Sequence, residues 1–296
     1  LAAETVTPDQ VRRLQENVEI LEARGIAKRH EAGGLGPRSL ALSEATGEVW
    51  VANYFSDTVT VLDAITGELR ATIPLGPSHE RSLWRQGELL STDARMCYQN
   101  WFSCVSCHQE DGTVDGLNWD LANDGLGNPK SAKDLINGHD TAPAMWGAVR
   151  ADLNDGVAGG QRFEGYVADA DRQRALMTYF GNPEYAPNPL RGRHPEAEAR
   201  GADLFVATGC SICHPAPLFT DKKLHDLGFG TKADYRSRFD TPSLRSVLRN
   251  GPWLHDGRAK SLHAVFTEHN PQDVHGRTKG LTKQELDDLI TYLKTL

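Results

Sequence analysis

Phe102-Ser103-Cys104-Val105-Ser106-Cys107-His108 is the stretch around which the chain is organised, and Gly209-Cys210-Ser211-Ile212-Cys213-His214 repeats its pattern. Each contains Cys-x-x-Cys-His, the attachment sequence of a c-type haem. Two thiols separated by two residues can reach the two vinyl groups on one porphyrin edge, and the next residue then binds the iron. The pattern therefore predicts two covalently bound haems. Their predicted ligands are Cys104, Cys107 and His108 for the first haem, and Cys210, Cys213 and His214 for the second.

Two other chemistries use Cys-x-x-Cys, namely a structural zinc site and a thioredoxin-like redox pair. A zinc site would have to combine ligands from two copies that lie far apart in the chain, so we favour haem. Four of the 5 cysteines are then used, and Cys97 is left over. We expect Cys97 to be a buried apolar residue rather than a reactive thiol near the first haem.

Composition limits what else the chain can be. Its 296 residues, 39% of them hydrophobic, allow one large domain or two ordinary ones. The formal net charge of -8 argues against nucleic acid as a partner, and no apolar run is long enough to cross a bilayer. Because the chain begins at Leu1, we expect a processed or truncated product. Haem is attached covalently outside the cytoplasm, so we expect a periplasmic location.

The first 80 residues have a character of their own. Apolar residues at helical spacing predict a helix over 8–30. After Glu48, short alternating runs separated by turn-like pieces predict three antiparallel strands. The run from Val49 to Gly76 resembles one blade of a YVTN-type β-propeller.

A propeller needs several blades to bury its faces, and the sequence holds one copy. Three explanations stay open. The other blades were cut away, they lie on another chain, or this is a small sheet packed on the haem region. We favour the first, in which the chain is the carboxy-terminal part of a longer propeller–cytochrome fusion.

The rest of the chain is organised as two cytochrome-like units in tandem. A helix is predicted before each haem motif, over 85–90 and 196–208, and further helices are predicted over 169–180 and 282–293. Residues 109–165 are rich in Gly, Asp and Asn and are predicted to be mostly loop. The predicted fold is therefore mainly α, with a short antiparallel β segment near the N-terminus. The predicted domains are 1–80 for the helix and β segment, 81–190 for the first cytochrome domain and 191–296 for the second.

Two further stretches of the second half carry a family resemblance. They are Phe239-Asp240-Thr241-Pro242-Ser243-Leu244-Arg245 and Gly251-Pro252-Trp253-Leu254-His255-Asp256-Gly257-Arg258. With the two haem motifs, they make 81–296 resemble the bacterial di-haem cytochrome c peroxidase/MauG family. The resemblance implies two facing helical domains with one haem each. It also implies that one haem stores electrons while the other meets hydrogen peroxide, with a Trp between them and a calcium ion near the interface.

The resemblance also implies ligands on the far sides of the haems. The distal ligand of the second haem falls on His269, where the family has Met or Tyr, and His263 and His255 are rivals for this role. A second imidazole in place of a thioether would make this a low-potential haem. At the first haem the family position holds no His, and His139 comes later than the family pattern. We therefore expect the first iron to lack a strong distal ligand or to have an unusual one, and an open iron is where peroxide would bind.

Further residues are implied at the reaction site and between the haems. Trp146 falls about where the family has its inter-haem Trp, which can hold a radical, although a core Trp is the structural alternative. Glu164 resembles the family's distal Glu, which assists O–O cleavage, with Gln161 as a second candidate and a merely solvated Glu as the alternative. By charge alone, Arg245 is a candidate partner for a haem propionate. The positions implied for calcium are Asn128, Asn250 and Pro252.

The sequence therefore predicts a periplasmic di-haem oxidoreductase. Hydrogen peroxide would react at the first haem, and the second haem would pass on electrons from a small cytochrome c or a cupredoxin. A MauG-like version would instead oxidise a residue on a partner protein. The alternative is an electron-transfer module that serves a propeller dehydrogenase domain or subunit, in which neither iron reacts with peroxide.

Overall fold

The computed structural model describes Thr7 and residues 18–77, 80–109, 113–120, 129–135, 137–181 and 187–296. The chain divides into two compact units, Leu1–Glu80 and Arg81–Leu296. A division of the second unit into two cytochrome domains at 190/191 stays a prediction. Among the described helices, none has both the length and the apolar character that a membrane span requires.

The described part of the first unit consists of a short helix and a sheet. Helix α1 spans Val18–Ala23 and ends just before Gly25, whose φ of 68° is left-handed. Residues 8–17 of the predicted helix lie outside the described residues, and the helix does not continue to residue 30. The sheet has four antiparallel strands in chain order, β1 (Pro37–Ser43), β2 (Glu48–Asn53), β3 (Thr58–Asp63) and β4 (Leu69–Pro74). The sequence predicted three of these strands, and β1 is additional.

The middle strands of the sheet are its best buried part. Val51, Thr60 and Leu62 are buried, and the Asn53 amide donates to the Thr60 hydroxyl at 3.0 Å. The outer strands β1 and β4 are exposed along almost their whole length. With this sheet the fold of the chain is mixed helix and sheet, and the antiparallel β segment predicted near the N-terminus is present.

The second unit carries each haem motif on a single helical turn flanked by longer helices. The helices are α2 (Leu83–Thr92), α3 (Cys104–Cys107), α4 (Leu153–Glu164), α5 (Ala170–Gly181), α6 (Pro195–Ala207), α7 (Cys210–Cys213), α8 (Leu262–Thr267) and α9 (Lys283–Leu293). Two short ribbons accompany them, β5 (Asn118–Trp119) with β6 (Lys130–Ser131), and β7 (Leu224–His225) with β8 (Phe239–Asp240). Single 3₁₀ turns occupy Ala94–Met96, Tyr98–Asn100 and Val247–Arg249.

The helices α2, α5, α6 and α9 confirm the predicted helices around the haem motifs. Thr282 caps α9 and forms a capping box with Glu285, which is the reason the helix begins there. Helix α4 was not predicted, because 156–160 contains three glycines that lower helix propensity. Its ends are nevertheless well marked, since the Asp152 side chain accepts the Asp155 N–H and Gly165 follows with a φ of 87°.

Two pairs of helices cross in the same manner, each through a glycine. Gly87 of α2 lies so near α5 that an added Cβ would be 2.1 Å from the Ala175 carbonyl oxygen. Gly201 of α6 faces α9 in the same way, with an added Cβ 2.2 Å from the Asp288 carbonyl oxygen. Glycine alone permits this approach of two backbones. Each haem motif therefore follows a helix that is held by a later helix of the chain.

Candidate functional site

The first Cys-x-x-Cys-His motif lines a cavity of about 650 Å³ in the second unit. Cys104 and Cys107 lie on α3, where Ser103 and Ser106 form a capping box, and His108 follows the turn. Both thiols are free and line the cavity, as attachment to a porphyrin edge requires. Ligand pockets are commonly about 300–1,000 Å³, so the cavity suits one large cofactor.

His108 is suited to bind iron. Burial lowers its pKa, although the backbone of Lys133 and the carboxylate of Asp115 act in the opposite direction. A neutral imidazole is the form that binds a metal. Among the described residues that line the cavity, His108 is the only histidine, and Met145 supplies the only thioether.

The second motif has the same local structure. Cys210 and Cys213 lie on α7, and burial lowers the pKa of His214, which follows them. His214 Nδ1 is 2.9 Å from the Phe219 carbonyl oxygen. This hydrogen bond directs Nδ1 to the backbone and leaves Nε2 for a metal.

The structure adds a histidine at the second site that the sequence did not single out. The ring centroid of His275 lies 6.4 Å from that of His214, with an interplanar angle of 61°. Two imidazoles on opposite sides of one metal, with bonds of about 2 Å each, give a separation of this size. Burial, with His214 as a second cause, lowers the pKa of His275 to about 4. Its Nδ1 is buried and has no hydrogen-bond partner in the part of the chain that the structure describes.

Asn270 fixes the loop that carries His275. Its side-chain oxygen accepts the His275 N–H at 3.0 Å, and its amide donates to the Gly276 carbonyl at 3.0 Å. Phe229 and Phe266 pack against the imidazole, with ring centroids 5.1 Å and 6.1 Å away. The His275 ring is therefore held in place by both backbone and aromatic contacts.

The histidines named from the sequence lie in other settings. His269 is half-buried, and its role as a ligand stays a prediction. His263 is partly exposed, with Nε2 at 2.7 Å from Asp287 on α9. His139 is exposed and is not among the residues that line the first cavity.

Two loops with the same backbone path bring Trp146 and His255 together. The loops are closed by equivalent bridges, Ala144 with Arg150 and Trp253 with Ala259. Trp146 and His255 each stand two residues after the first bridge residue, and their ring centroids are 6.5 Å apart. The residue predicted to lie between the haems is therefore paired with the histidine of the His-Asp-Gly sequence.

The short ribbons tie the two loops together. The Ser131 N–H of β6 donates to the His255 carbonyl at 2.8 Å, and the Asp240 N–H of β8 donates to the Trp146 carbonyl at 2.7 Å. The first ribbon thus holds the loop of the second half, and the second ribbon holds the loop of the first half. This exchange fixes the Trp146–His255 pair from both sides.

A buried polar chain adjoins His255. Its Nε2 is 3.0 Å from one oxygen of Asp234, and the Lys130 ammonium is 2.7 Å from the other. The side chains of His255 and Asp234 are 1% and 4% exposed. Burial works against the charge of Asp234, but Lys130 and Thr231 hold its pKa well below the usual range. His255 also stacks on Phe239 at 3.9 Å, so its ring has one fixed orientation.

Glu164 lines the first cavity beside an attachment cysteine. Its Oε2 is 3.9 Å from Cys104 Sγ. Burial raises the pKa of Glu164 to about 7, while Cys104 and Tyr166 lower it by smaller amounts. The Tyr166 hydroxyl is near enough to have this effect, yet it is buried without a well-formed hydrogen bond in the described structure. Gln161 also lines the cavity, but its amide donates to Gln173 at 2.6 Å and is already engaged.

Comparison with known proteins connects this arrangement to named enzymes. No family model matches the chain. It is similar to hydrazine synthase subunit gamma of Kuenenia stuttgartiensis, with 29% identity across 94% of this chain and 95% of the relative. It is 33% identical to methylamine utilization protein MauG of Methylorubrum extorquens over 33% of each chain. A solved structure of Kuenenia stuttgartiensis hydrazine synthase superposes with a TM-score of 0.64 and 29% identity, over 74% of this chain and 89% of that one.

A cytochrome c551 peroxidase of Nitrosomonas europaea is 22% identical over 79% of this chain and 86% of the relative. These relatives support membership of the di-haem cytochrome c peroxidase/MauG family. They also support an oxidoreductase and imply two c-type haems. The structure fits that cofactor, because both motifs present free thiols and each is followed by a histidine with a lowered pKa.

Other residues implied by the di-haem peroxidase/MauG family lie in settings that do not test their roles. Arg245 is exposed, whereas Arg236 and Arg238 line the first cavity and are the arginines placed to meet an anionic group there.

Cys97 is 5% exposed, which confirms that it is buried. Cys213, Asp221 and His225 form a cluster of metal-ligand type, but a thioether to haem would use the Cys213 sulfur and leave two ligands.

Of the three positions that the family resemblance implies for calcium, the structure describes Asn250 and Pro252. Asn128 lies outside the described residues. The Asn250 amide donates to Asp134, and its side-chain oxygen is buried without a hydrogen-bond partner in the described structure. Pro252 follows Asn250 at the start of the loop that carries His255.

Proposed function

We propose that this chain is a di-haem oxidoreductase in which hydrogen peroxide reacts in the cavity at His108, and electrons reach that cavity from the second haem site. The observation that carries the proposal is the unequal supply of axial ligands. His275 faces His214 at the second site, while His108 is the only histidine among the described residues that line the first cavity. With two histidines on its iron, the second haem would be closed to small molecules, whereas the first haem, with His108 alone and Met145 unbound, would be open to them.

Cys104 and Cys107 would hold the first haem, with His108 on its iron. The iron, when bound, supplies the redox chemistry toward peroxide. Glu164 supplies a proton acceptor and donor, because burial raises its pKa to about 7 and it exchanges protons near neutral pH. Arg236 and Arg238 would pair with carboxylates of the bound cofactor.

Cys210 and Cys213 would hold the second haem, with His214 and His275 on its iron. Two imidazoles lower the potential of such a haem relative to one with a thioether ligand. Trp146 and His255 join the two halves of the unit and offer a packed route for electrons between them. Electrons would enter from a small cytochrome c or a cupredoxin, or the oxidising equivalents would pass to a protein substrate as in MauG.

Peroxide added to the oxidised and to the reduced protein tests this proposal. We expect a change in the absorption of the first haem and turnover with a reduced small cytochrome c or a cupredoxin. A stable oxidised spectrum without such turnover would favour the MauG-like version. An unchanged spectrum at both haems would favour the electron-transfer module and contradict the proposal.

A second candidate is a role as one subunit of a larger redox complex. The relative that spans 94% of this chain is named a subunit of hydrazine synthase, and the first unit exposes β1 and β4 almost completely. A propeller domain or subunit stays a prediction for that partner. Purification from the native source under mild conditions tests this candidate, since a stable complex of defined composition would support it and a monomer would contradict it.

A calcium ion and a periplasmic location complete the proposal. The unpartnered oxygen of Asn250 is the kind of ligand that calcium prefers, and covalent haem attachment takes place outside the cytoplasm. Metal analysis of the purified protein and fractionation of cells test the two points separately. Protein without calcium, or apoprotein confined to the cytoplasm, would contradict them.

A further inference from the structure

The indole N–H of Trp119 is hydrogen-bonded to a carboxylate, which can act as a base. Trp119 lines the first cavity, and its Nε1 donates to one oxygen of Asp115 at 2.6 Å. The other oxygen of Asp115 accepts the Leu117 N–H at 3.0 Å, which fixes the carboxylate toward the indole. An indole that loses an electron becomes far more acidic, and a carboxylate already hydrogen-bonded to its N–H is placed to accept the proton directly. Trp119 is therefore arranged for one-electron oxidation coupled to proton transfer.

Trp146 also lines this cavity, and it is the indole to which the family resemblance gives a role. Among the described residues, its N–H has no carboxylate as hydrogen-bond acceptor. Its Nε1 donates at 2.8 Å to the Ser131 carbonyl, which is a poor proton acceptor. The Lys133 ammonium lies 5.2 Å from the ring centroid, where it opposes positive charge on the ring. Asp240 pairs with Lys133 at 2.9 Å and weakens this effect without supplying a base to the indole nitrogen. Trp146 is therefore harder to oxidise than Trp119.

A row of aromatic rings leads from Trp119 to the surface. The Phe102 ring stacks on Trp119 at 6.2 Å and contacts Trp101 at 4.6 Å. Phe163 packs against both Phe102 and Trp119, at 5.6 Å and 6.0 Å, and keeps the row rigid. Trp101 is 69% exposed. Phe102 is too hard to oxidise to carry a radical, but as a packed bridge it brings the two indoles within range of electron transfer.

We infer that Trp119 delivers single electrons to the oxidised first site, and that Trp101 is a surface site where an aromatic donor too large for the cavity is oxidised. The donor class is a phenol side chain on a protein, because an oxidised indole can take one electron from a phenol and Trp101 is exposed to a partner that the cavity cannot admit. This inference rests on the proposed reaction of hydrogen peroxide in the first cavity.

Electrons and protons balance through Asp115. For each electron, Trp119 reduces the oxidised site and passes its N–H proton to the Asp115 carboxylate. An electron from Trp101, replaced in turn from the donor, restores Trp119, and Asp115 returns the proton to the indole nitrogen. Each donor loses one electron and one phenolic proton to become a radical. Two donors thus supply the two electrons and two protons that convert one hydrogen peroxide into two waters.

Radical detection tests the role of Trp119. The oxidised di-haem protein, with deuterated indoles, is mixed with one equivalent of peroxide, frozen and measured by paramagnetic resonance. We expect a neutral indolyl radical that Trp119→Phe abolishes. Asp115→Asn keeps the indole but removes the base, so the neutral radical should be lost or replaced by the protonated form. An indolyl radical that persists unchanged in Trp119→Phe overturns the inference.

Two phenols of different size test the role of Trp101. Tyramine coupled to dextran cannot enter the cavity, and free phenol can. Trp101→Phe should lower the rate with the coupled phenol, relative to free phenol, by about tenfold or more. Tyr98→Phe, in a neighbour that is 71% exposed, should leave that ratio unchanged. An unchanged ratio in Trp101→Phe overturns the surface site.

The two levels of the proposal fail in different ways. If peroxide does not change the haem absorption of the unmodified protein, the proposed function itself fails. If the haem responds and no radical depends on Trp119, this inference alone is overturned.

Discussion

His214 and His275 face each other with ring centroids 6.4 Å apart. His214 is fixed by its hydrogen bond to Phe219, and His275 is fixed by Asn270. Burial lowers the pKa of both imidazoles, so both are uncharged at neutral pH. This pair offers two imidazole nitrogens at the second site, whereas His108 is the only histidine among the described residues that line the first cavity.

Replacing His275 by Ala should change the spin state of the second haem. With one imidazole lost, the iron keeps His214 and becomes five-coordinate or binds water, so its low-spin paramagnetic resonance signal should disappear. Haem content, measured by mass, controls for attachment. His269→Ala is the matched variant, because the sequence favoured that residue. Loss of the low-spin signal in His269→Ala and its survival in His275→Ala would reverse the assignment.

Replacing Glu164 by Gln should slow the reaction with peroxide by about 10²–10⁴-fold, the range for general acid–base catalysis. Burial raises the pKa of Glu164 to about 7, so the carboxylate that accepts a proton is present above about pH 7 and is lost below it. The rate measured by stopped flow should therefore rise with pH through about 7 in the unmodified protein. Glu164→Gln should lack this rise, whereas Glu164→Asp should be slower and keep it. A pH profile that is the same in Glu164→Gln would exclude the role.

Replacing Asp234 by Asn should destabilise the protein by about 3 kcal/mol, because it removes the buried carboxylate that pairs with the Lys130 ammonium and hydrogen-bonds His255. The pKa of Asp234 is lowered, so its contribution is fully present above its ordinary value of 3.8 and is lost only in strong acid. Denaturant unfolding at neutral pH measures the change. Asp287→Asn breaks partly exposed contacts to His263 and Lys283 and should have little effect. Equal effects of the two substitutions would contradict this view of the buried chain.

Replacing Gly201 by Ala should destabilise the protein by about 1–3 kcal/mol or more, because the added Cβ would meet the Asp288 carbonyl oxygen at 2.2 Å. Gly181→Ala at the end of α5 is the control, since its added Cβ meets nothing within 4 Å in the described structure and Gly181 does not line the first cavity. That change should stabilise by about 0.5–1 kcal/mol through helix propensity alone. Melting temperatures that move in opposite directions would support the crossing, and a fall in both would contradict it.

The haem motifs and their helices were predictable because their signals are local. The spacing of Cys104, Cys107 and His108 is set by the porphyrin edge. A helix such as α9 is predicted from its N-cap and from the periodicity of its apolar residues. Helix α4 was missed because its glycines weaken propensity, although Asp152 and Gly165 mark its ends. These two caps are the sequence signal that predicts the helix.

The position of His275 beside His214 could not be predicted from periodicity, because His275 follows α8 in an irregular loop. Counting along the family pattern pointed to His269, whose role as a ligand stays a prediction. The loop is held by Asn270, a polar residue that is 3% exposed, and buried polar side chains of this kind become visible only in three dimensions. The pairing of Trp146 with His255 likewise depends on two loops of equal shape whose sequences have little in common.

In the proposed function, one haem is open to peroxide and the other is closed by two imidazoles. The most direct measurement is the low-temperature paramagnetic resonance spectrum of the oxidised protein before and after one equivalent of peroxide. We predict one high-spin ferric signal, from the haem bound by His108, and one low-spin signal of the bis-imidazole type, with peroxide removing the high-spin signal first. Two low-spin signals that peroxide leaves unchanged would contradict the account.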